Sequence, residues 1–128
     1  MRRIRTAMAC CMTAGIPAFA QQTASAPPSD AVLLRGALER LSAELDRAIG
    51  IPRAVSLSAC ASVAVGAKAC DGPAHFRVYS TTTADAGRVT RLAGENTRTQ
   101  RQLNELTGAI SDCAEETPPA LALALGNG

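Results

Sequence analysis

The chain has 128 residues, with 13 Lys and Arg against 11 Asp and Glu, a single histidine, no tryptophan and only three aromatic rings. That length suits one domain. The near-balance of charge gives no basic field of the kind that draws a protein to nucleic acid.

Arg2, Arg3 and Arg5 form a positive start. Thr6 to Ile16 is an uncharged, mostly apolar stretch, and Pro17 leads into Ala18-Phe19-Ala20, a small-x-small cleavage site. The pattern predicts a cleavable secretory signal over residues 1–20 and a mature start at Gln21. A spanning helix needs roughly 20 apolar residues, and this stretch is shorter and contains Gly15 and Pro17. A lipoprotein built on Cys10 or Cys11 is a second alternative, but the gap from Arg5 to Cys10 leaves no room for an apolar region ahead of the lipid. Loss of Arg2, Arg3 and Arg5 leaves 10 basic and 11 acidic residues, net −1. The expected location is periplasmic or secreted, with no membrane span after signal cleavage.

Residues 21–29 (QQTASAPPS) are polar and Pro-containing and predict a disordered tether. Residues 30–128 follow as a single domain. Asp30 can cap a helix over Ala31–Ile49, stopped by Gly50 with Pro52 beyond. Leu34, Leu38, Leu41, Leu45 and Ala48 recur at helical spacing and make one apolar stripe. The period then changes. Val55, Leu57, Ala59, Ala61, Val63 and Val65 alternate with small residues, which predicts a strand from Ala54 to Val65 with Cys60 in its middle. Cys70-Asp71-Gly72-Pro73 is a turn. His75 to Tyr79 is a second strand. Thr82-Thr83-Ala84-Asp85 has the form of a capping box, opening a long helix that ends near Thr107 at Gly108. Beyond Pro118-Pro119, the alternation of Leu121, Leu123 and Leu125 predicts a last strand.

These elements assemble as an α+β domain. A small three-stranded antiparallel sheet is covered by the long helix, and the Ala31–Ile49 helix is added at the N-terminus. The last strand pairs with the free edge of the first, through a right-handed crossover. The long helix rises along the sheet and returns the chain to the end where Cys70 lies. That geometry favours a Cys70–Cys113 disulfide, with Cys60–Cys70 as the alternative. An exported compartment permits either. The third cysteine, Cys60 in the favoured pairing, is left as a free thiol.

Gly66, Lys68, Cys70, Gly72, Pro73, Tyr79, Ser80, Asn104, Ser111, Asp112 and Cys113 follow a spaced pattern across Cys60 to Pro119. This run resembles a family of small, functionally uncharacterised bacterial exported proteins and lipoproteins. Their pattern has a cysteine strand, G-x-K-x-C-G-G-P, an aromatic Y-x-x-Y-S strand, a late helical Asn, S-D-C and a Pro-rich approach to a final strand. Asp71 stands here where the pattern has its first Gly, and Phe76 where it has Tyr. The family tends to carry a further cysteine near the C-terminus that could pair with the strand cysteine; Leu121–Gly128 has none. The resemblance implies export and supplies no activity.

No residue set reads as catalytic, cofactor-binding or metal-binding. His75 beside Cys70 and Asp71 offers too few ligands for zinc once the cysteine is oxidised. Cys60 has no thiolate-stabilising partner in sequence. Arg88, Arg91, Arg98 and Arg101 lie along one stripe of the long helix, but Glu95 and Glu105 sit at pairing distance, as on a solvated face. Asp71, Asp112, Glu115 and Glu116 cluster too loosely for more than a weak Ca²⁺ site. Asn96 and Thr99 interrupt an apolar stripe, and either meet polar partners in the core such as Ser58 or Ser62 or mark where the helix leaves the sheet. The expected function is a disulfide-stabilised, non-enzymatic binding protein for a protein or envelope component. The alternative is a thiol-dependent enzyme or redox protein using Cys60. The leucine stripe of residues 31–49 must be buried, either within the chain or in a homodimer.

Overall fold

A computed structural model describes residues 29–121. The proposed signal and all but Ser29 of the tether lie outside these residues, as does the Leu121–Leu125 run after its first member. Helix α1 spans Asp30–Ile49, strand β1 Cys60–Val65, strand β2 His75–Ser80 and helix α2 Ala86–Thr107. A single 3-10 turn at Leu57–Ala59 leads into β1. The class is α+β, with two helices on one antiparallel ribbon.

Helix α1 begins at Asp30, so that Ser29 and not Asp30 takes the N-cap position, and the Gly50 N–H closes its last turn on the Asp46 carbonyl. Its stripe is buried progressively toward the C-terminal end. Leu34 and Leu38 are half-buried, Leu41 and Ala48 pack against the core, and Leu45 and Ile49 are enclosed. The partner of that stripe is α2, which runs antiparallel beside it and supplies Val89, Leu92 and Ala93. Helix α2 rises about 33 Å over its 22 residues. Its N-cap is Asp85, whose carboxylate accepts from the Arg88 N–H at 3.0 Å. The cap therefore falls at the last residue of the expected box, not at its first.

Strands β1 and β2 pair from Cys60↔Ser80 to Val65↔His75. Directly opposed residues share a face, so Ala61, Val63, Val65 and Tyr79 point toward the helices. Phe76 and Val78 face away, opposite Ala64 and Ser62. The core is Leu45, Ile49, Val65, Tyr79, Ala84, Val89, Leu92 and Ala93. Aliphatic residues dominate it, and Tyr79 is its one aromatic ring.

One expectation is corrected. The first strand starts at Cys60 and not at Ala54, because a strand lasts only as long as its partner. β2 ends at Ser80, the Thr81 N–H makes the last rung to the Ala59 carbonyl, and upstream the Ala59 N–H turns back on Ser56. Cys60 thus opens the strand instead of sitting in its middle. The sheet has two strands among the described residues, and the expected third strand lies outside them after Leu121. Residues 109–121 leave α2 without forming helix or strand. Their polar contacts go to loop side chains, and Pro118 and Pro119 have no N–H to give a ladder.

Candidate functional site

The hairpin connection between β1 and β2 sets up the most elaborate corner of the molecule. Gly66 stands at φ +73, and a Cβ there would lie 2.9 Å from Ala74 Cβ. Only glycine allows this start of the loop. The loop then closes on itself through Lys68 N–H to the Gly72 carbonyl and Asp71 N–H to the Lys68 carbonyl. Asp71 at φ +82 and Gly72 at φ +84 are two successive left-handed residues.

Against this loop lies the segment after α2. Gly108 ends the helix, and the Gly108 and Ala109 N–H groups both donate to the Asn104 carbonyl. Asn104 also ties helix to loop: its Nδ2 donates to the Ala67 carbonyl at 2.9 Å, while Oδ1 accepts from Gln100. It is a packing residue near the helix end, as its place beside Leu103 suggests. Cys70 and Cys113 form a disulfide with Cα atoms 5.6 Å apart. The Ser111 hydroxyl donates to Cys70 Sγ at 2.8 Å.

Lys68 is the hub of the corner. Its ammonium donates to Asp112 Oδ1 at 3.0 Å, to the Ala114 carbonyl at 2.6 Å and to Glu116 Oε1 at 2.9 Å. The Lys68 side chain is only 11% exposed, and its three protons meet three acceptors, although the Asp112 and Glu116 carboxylates remain open to solvent. The hydrogen bonds that Lys68 donates to Glu116 and then to Asp112 raise its pKa. The Lys68 ammonium, helped by the Ala114 N–H, holds the Asp112 carboxyl below its usual range. Beside the hub lies a cleft of about 460 Å³ walled by Lys68, Asp71, Arg101, Asn104 and Glu105, with Gly108 and Ala109 at its rim. A second, of about 230 Å³, lies between Ala69-Cys70 and Ala109–Cys113.

The structure separates several residues that sequence brought together. Cys60 is half-exposed, its Sγ 3.8 Å from the Ser56 carbonyl. It opposes Ser80 at one end of the ribbon, whereas His75 opposes Val65 at the other, about 17 Å along the strands. The disulfide lies beyond the His75 end, so Cys60 is remote from it. Arg91 pairs with Glu95 on α2, and Arg101 approaches Asp71 at 4.0 Å. Asp112 and Glu116 serve Lys68. Among the described residues no three His, Cys, Asp or Glu side chains come together as a metal site. Asn96 finds its partner on α1, donating to Ser42 Oγ at 3.1 Å, and not on the strand serines. Thr99 returns its hydroxyl to the Glu95 carbonyl.

The pairing of Arg77 with Asp46, which ties β2 to α1, and the hub role of Lys68 were not visible in the spacing. Composition held a signal for the second: Lys68 is the only lysine, against twelve arginines. Comparison with known protein families, curated proteins and solved structures finds no match.

Proposed function

We propose that this chain is an exported, disulfide-stabilised domain that acts by binding a protein or envelope component. The observation that carries the reading is the state of its polar groups. At the one elaborate corner the sulfurs are joined and the ammonium's three protons are taken. The remaining thiol and the sole imidazole stand at opposite ends of the ribbon, beyond the hydrogen-bond reach that a nucleophile and its base require.

Export is supported by the disulfide, which persists in oxidising compartments, by the charge and apolar pattern of residues 1–20, and by the resemblance across Cys60 to Pro119. No helix among the described residues is long and apolar enough to cross a membrane. For binding, the ribbon offers its helix-free face, with Phe76, Val78 and Ala64, and strand edges that are unpaired among the described residues and of the kind that take up an added extended segment.

The purified chain beginning at Gln21 tests the reading in a screen of peptide, ester and glycan substrates. No turnover is expected. Turnover abolished by Cys60→Ala would establish the thiol-dependent alternative, and loss with His75→Ala would equally overturn the binding reading. Export is tested separately by N-terminal sequencing of envelope protein. Gln21 or its cyclised form is the expected terminus, and a lipidated terminus at Cys10 or Cys11 would refute signal cleavage at Ala20.

A further inference from the structure

Residues 109–120 are exposed throughout, and nothing from 109–121 enters the buried core. Yet the segment is held at several points, and among the described residues every non-local side-chain hold lands on the same short loop. Cys113 is bonded to Cys70, and Ser111 donates to that sulfur. Asp112, the Ala114 carbonyl and Glu116 surround Lys68. The segment also walls the cleft beside Cys70, through Ala109, Ile110, Ser111 and Cys113. A disulfide that knits a core joins elements whose separation would open it. This one joins a loop to a strap lying outside it.

We propose that residues 109–121 form a redox-released strap with two latches in series, the Cys70–Cys113 disulfide and the Lys68 ion cluster. The reductant is a dithiol, as in a thiol–disulfide oxidoreductase. One of its thiolates attacks a sulfur of the exposed pair, and the second resolves the mixed disulfide. The Cys70–Cys113 bond breaks, one S–S bond forms on the reductant, and its two hydrogens pass to Cys70 and Cys113. The freed strap stays seated while its carboxylates and carbonyl hold Lys68. Asp112 and Glu116 are 71% and 40% exposed, so salt opens this second latch. Asp71, Arg101 and Glu105, across the neighbouring cleft, are the other charges near Lys68. Release opens the Cys70 cleft and bares the Lys68 amine.

Because the chain has one lysine, acetylation by a water-soluble activated ester, read by peptide mass, reports the strap directly. The experiment uses the chain from Gln21, oxidised or reduced with dithiothreitol, in about 0.05 M or about 1 M sodium chloride, with helix content followed by circular dichroism. Lys68 should react slowly when oxidised at either salt concentration. Reduced in high salt, it should react at least about tenfold faster, the scale expected when charge-assisted hydrogen bonds are lost. Reduced in low salt it should fall between, and helix content should be unchanged throughout. The Cys70→Ser, Cys113→Ser double variant should match the reduced protein without reductant. Loss of helix on reduction, or in that variant, overturns the proposal by making the disulfide a staple of the fold. Equal Lys68 rates in the oxidised and the reduced high-salt protein overturn it by showing that the strap does not move. Equal rates at both salt concentrations in the reduced protein remove Lys68 as the second latch.

Discussion

Three acceptors around one nitrogen explain why the chain uses its only lysine at position 68. An ammonium is compact and directs its protons tetrahedrally, whereas a guanidinium is flat and presents a fork. Lys68→Arg therefore keeps the charge and loses the fit. Its thermal midpoint should drop in the direction of Lys68→Met, and a wild-type midpoint would show that charge alone suffices. The same cluster sets a pH window. Asp112 is held below the ordinary 3.8, so its contribution is present above that value and lost as pH falls through the folded-state pKa. Lys68 is held above the ordinary 10.5, so its contribution is complete below that value and lost as pH rises through the raised one. The difference in midpoint between wild type and Lys68→Met should be flat between these limits and shrink outside them. Asp71 gives an opposite case, because at φ +82 it holds a conformation that costs most side chains about 1–2 kcal/mol. Asp71→Gly should raise stability by about 1 kcal/mol in urea denaturation; an unchanged midpoint would show that the aspartate relieves the strain itself. Little of this cluster was legible residue by residue. The turn at Cys70-Asp71-Gly72 was readable because its residue types are those of turns. The acceptors of Lys68 come from more than 40 residues further along the chain, and no local pattern announces them.

At the level of the elements, legibility follows length and periodicity. Both helices could be placed because a stripe repeated over about 20 residues leaves little choice of face. β1 was overextended because alternation of side chains states what could pair, while the partner's length states what does. The capping box was misplaced by three residues because Thr82 and Asp85 are both good caps, and the tertiary turn at Ser80–Ala84 decides between them. Asn96 shows the same limit, since its position marked a buried polar need while Ser42, 54 residues away, meets it. Ser42→Ala should strand the Asn96 amide between the helices and cost about 1–3 kcal/mol in chemical denaturation. No loss there would mean that water replaces the hydroxyl. Leu92→Ala, which removes a side chain 1% exposed at the centre of the helix pair, should cost about 2–5 kcal/mol.

Across the whole molecule, α1 uses its leucine stripe within the chain, on α2. A homodimer through residues 31–49 would have what α2 leaves uncovered, the exposed Val32 and Leu33 and the half-buried Leu34 and Leu38. Light scattering should therefore show a monomer, and removal of residues 21–50 should unfold it, because Leu45 and Ile49 leave the core. A dimer that becomes a folded monomer on truncation would overturn this assignment. Reduction of Cys70–Cys113 should lower global stability by about 2–4 kcal/mol while the core contacts persist. The lone lysine has a further consequence when the chain is regarded as something to be cut. It falls between the two strands, and both bonded cysteines lie on its C-terminal side. An endoprotease specific for lysine would make one cut, leaving α1 with β1 on one peptide and β2, α2 and the closed disulfide loop on the other. No covalent bond would join them. The two halves would hold together through the ribbon ladder, the helix pair and the Lys68 contacts to Asp112, Ala114 and Glu116, so the protein carries in its sequence a natural seam for splitting and reassembly.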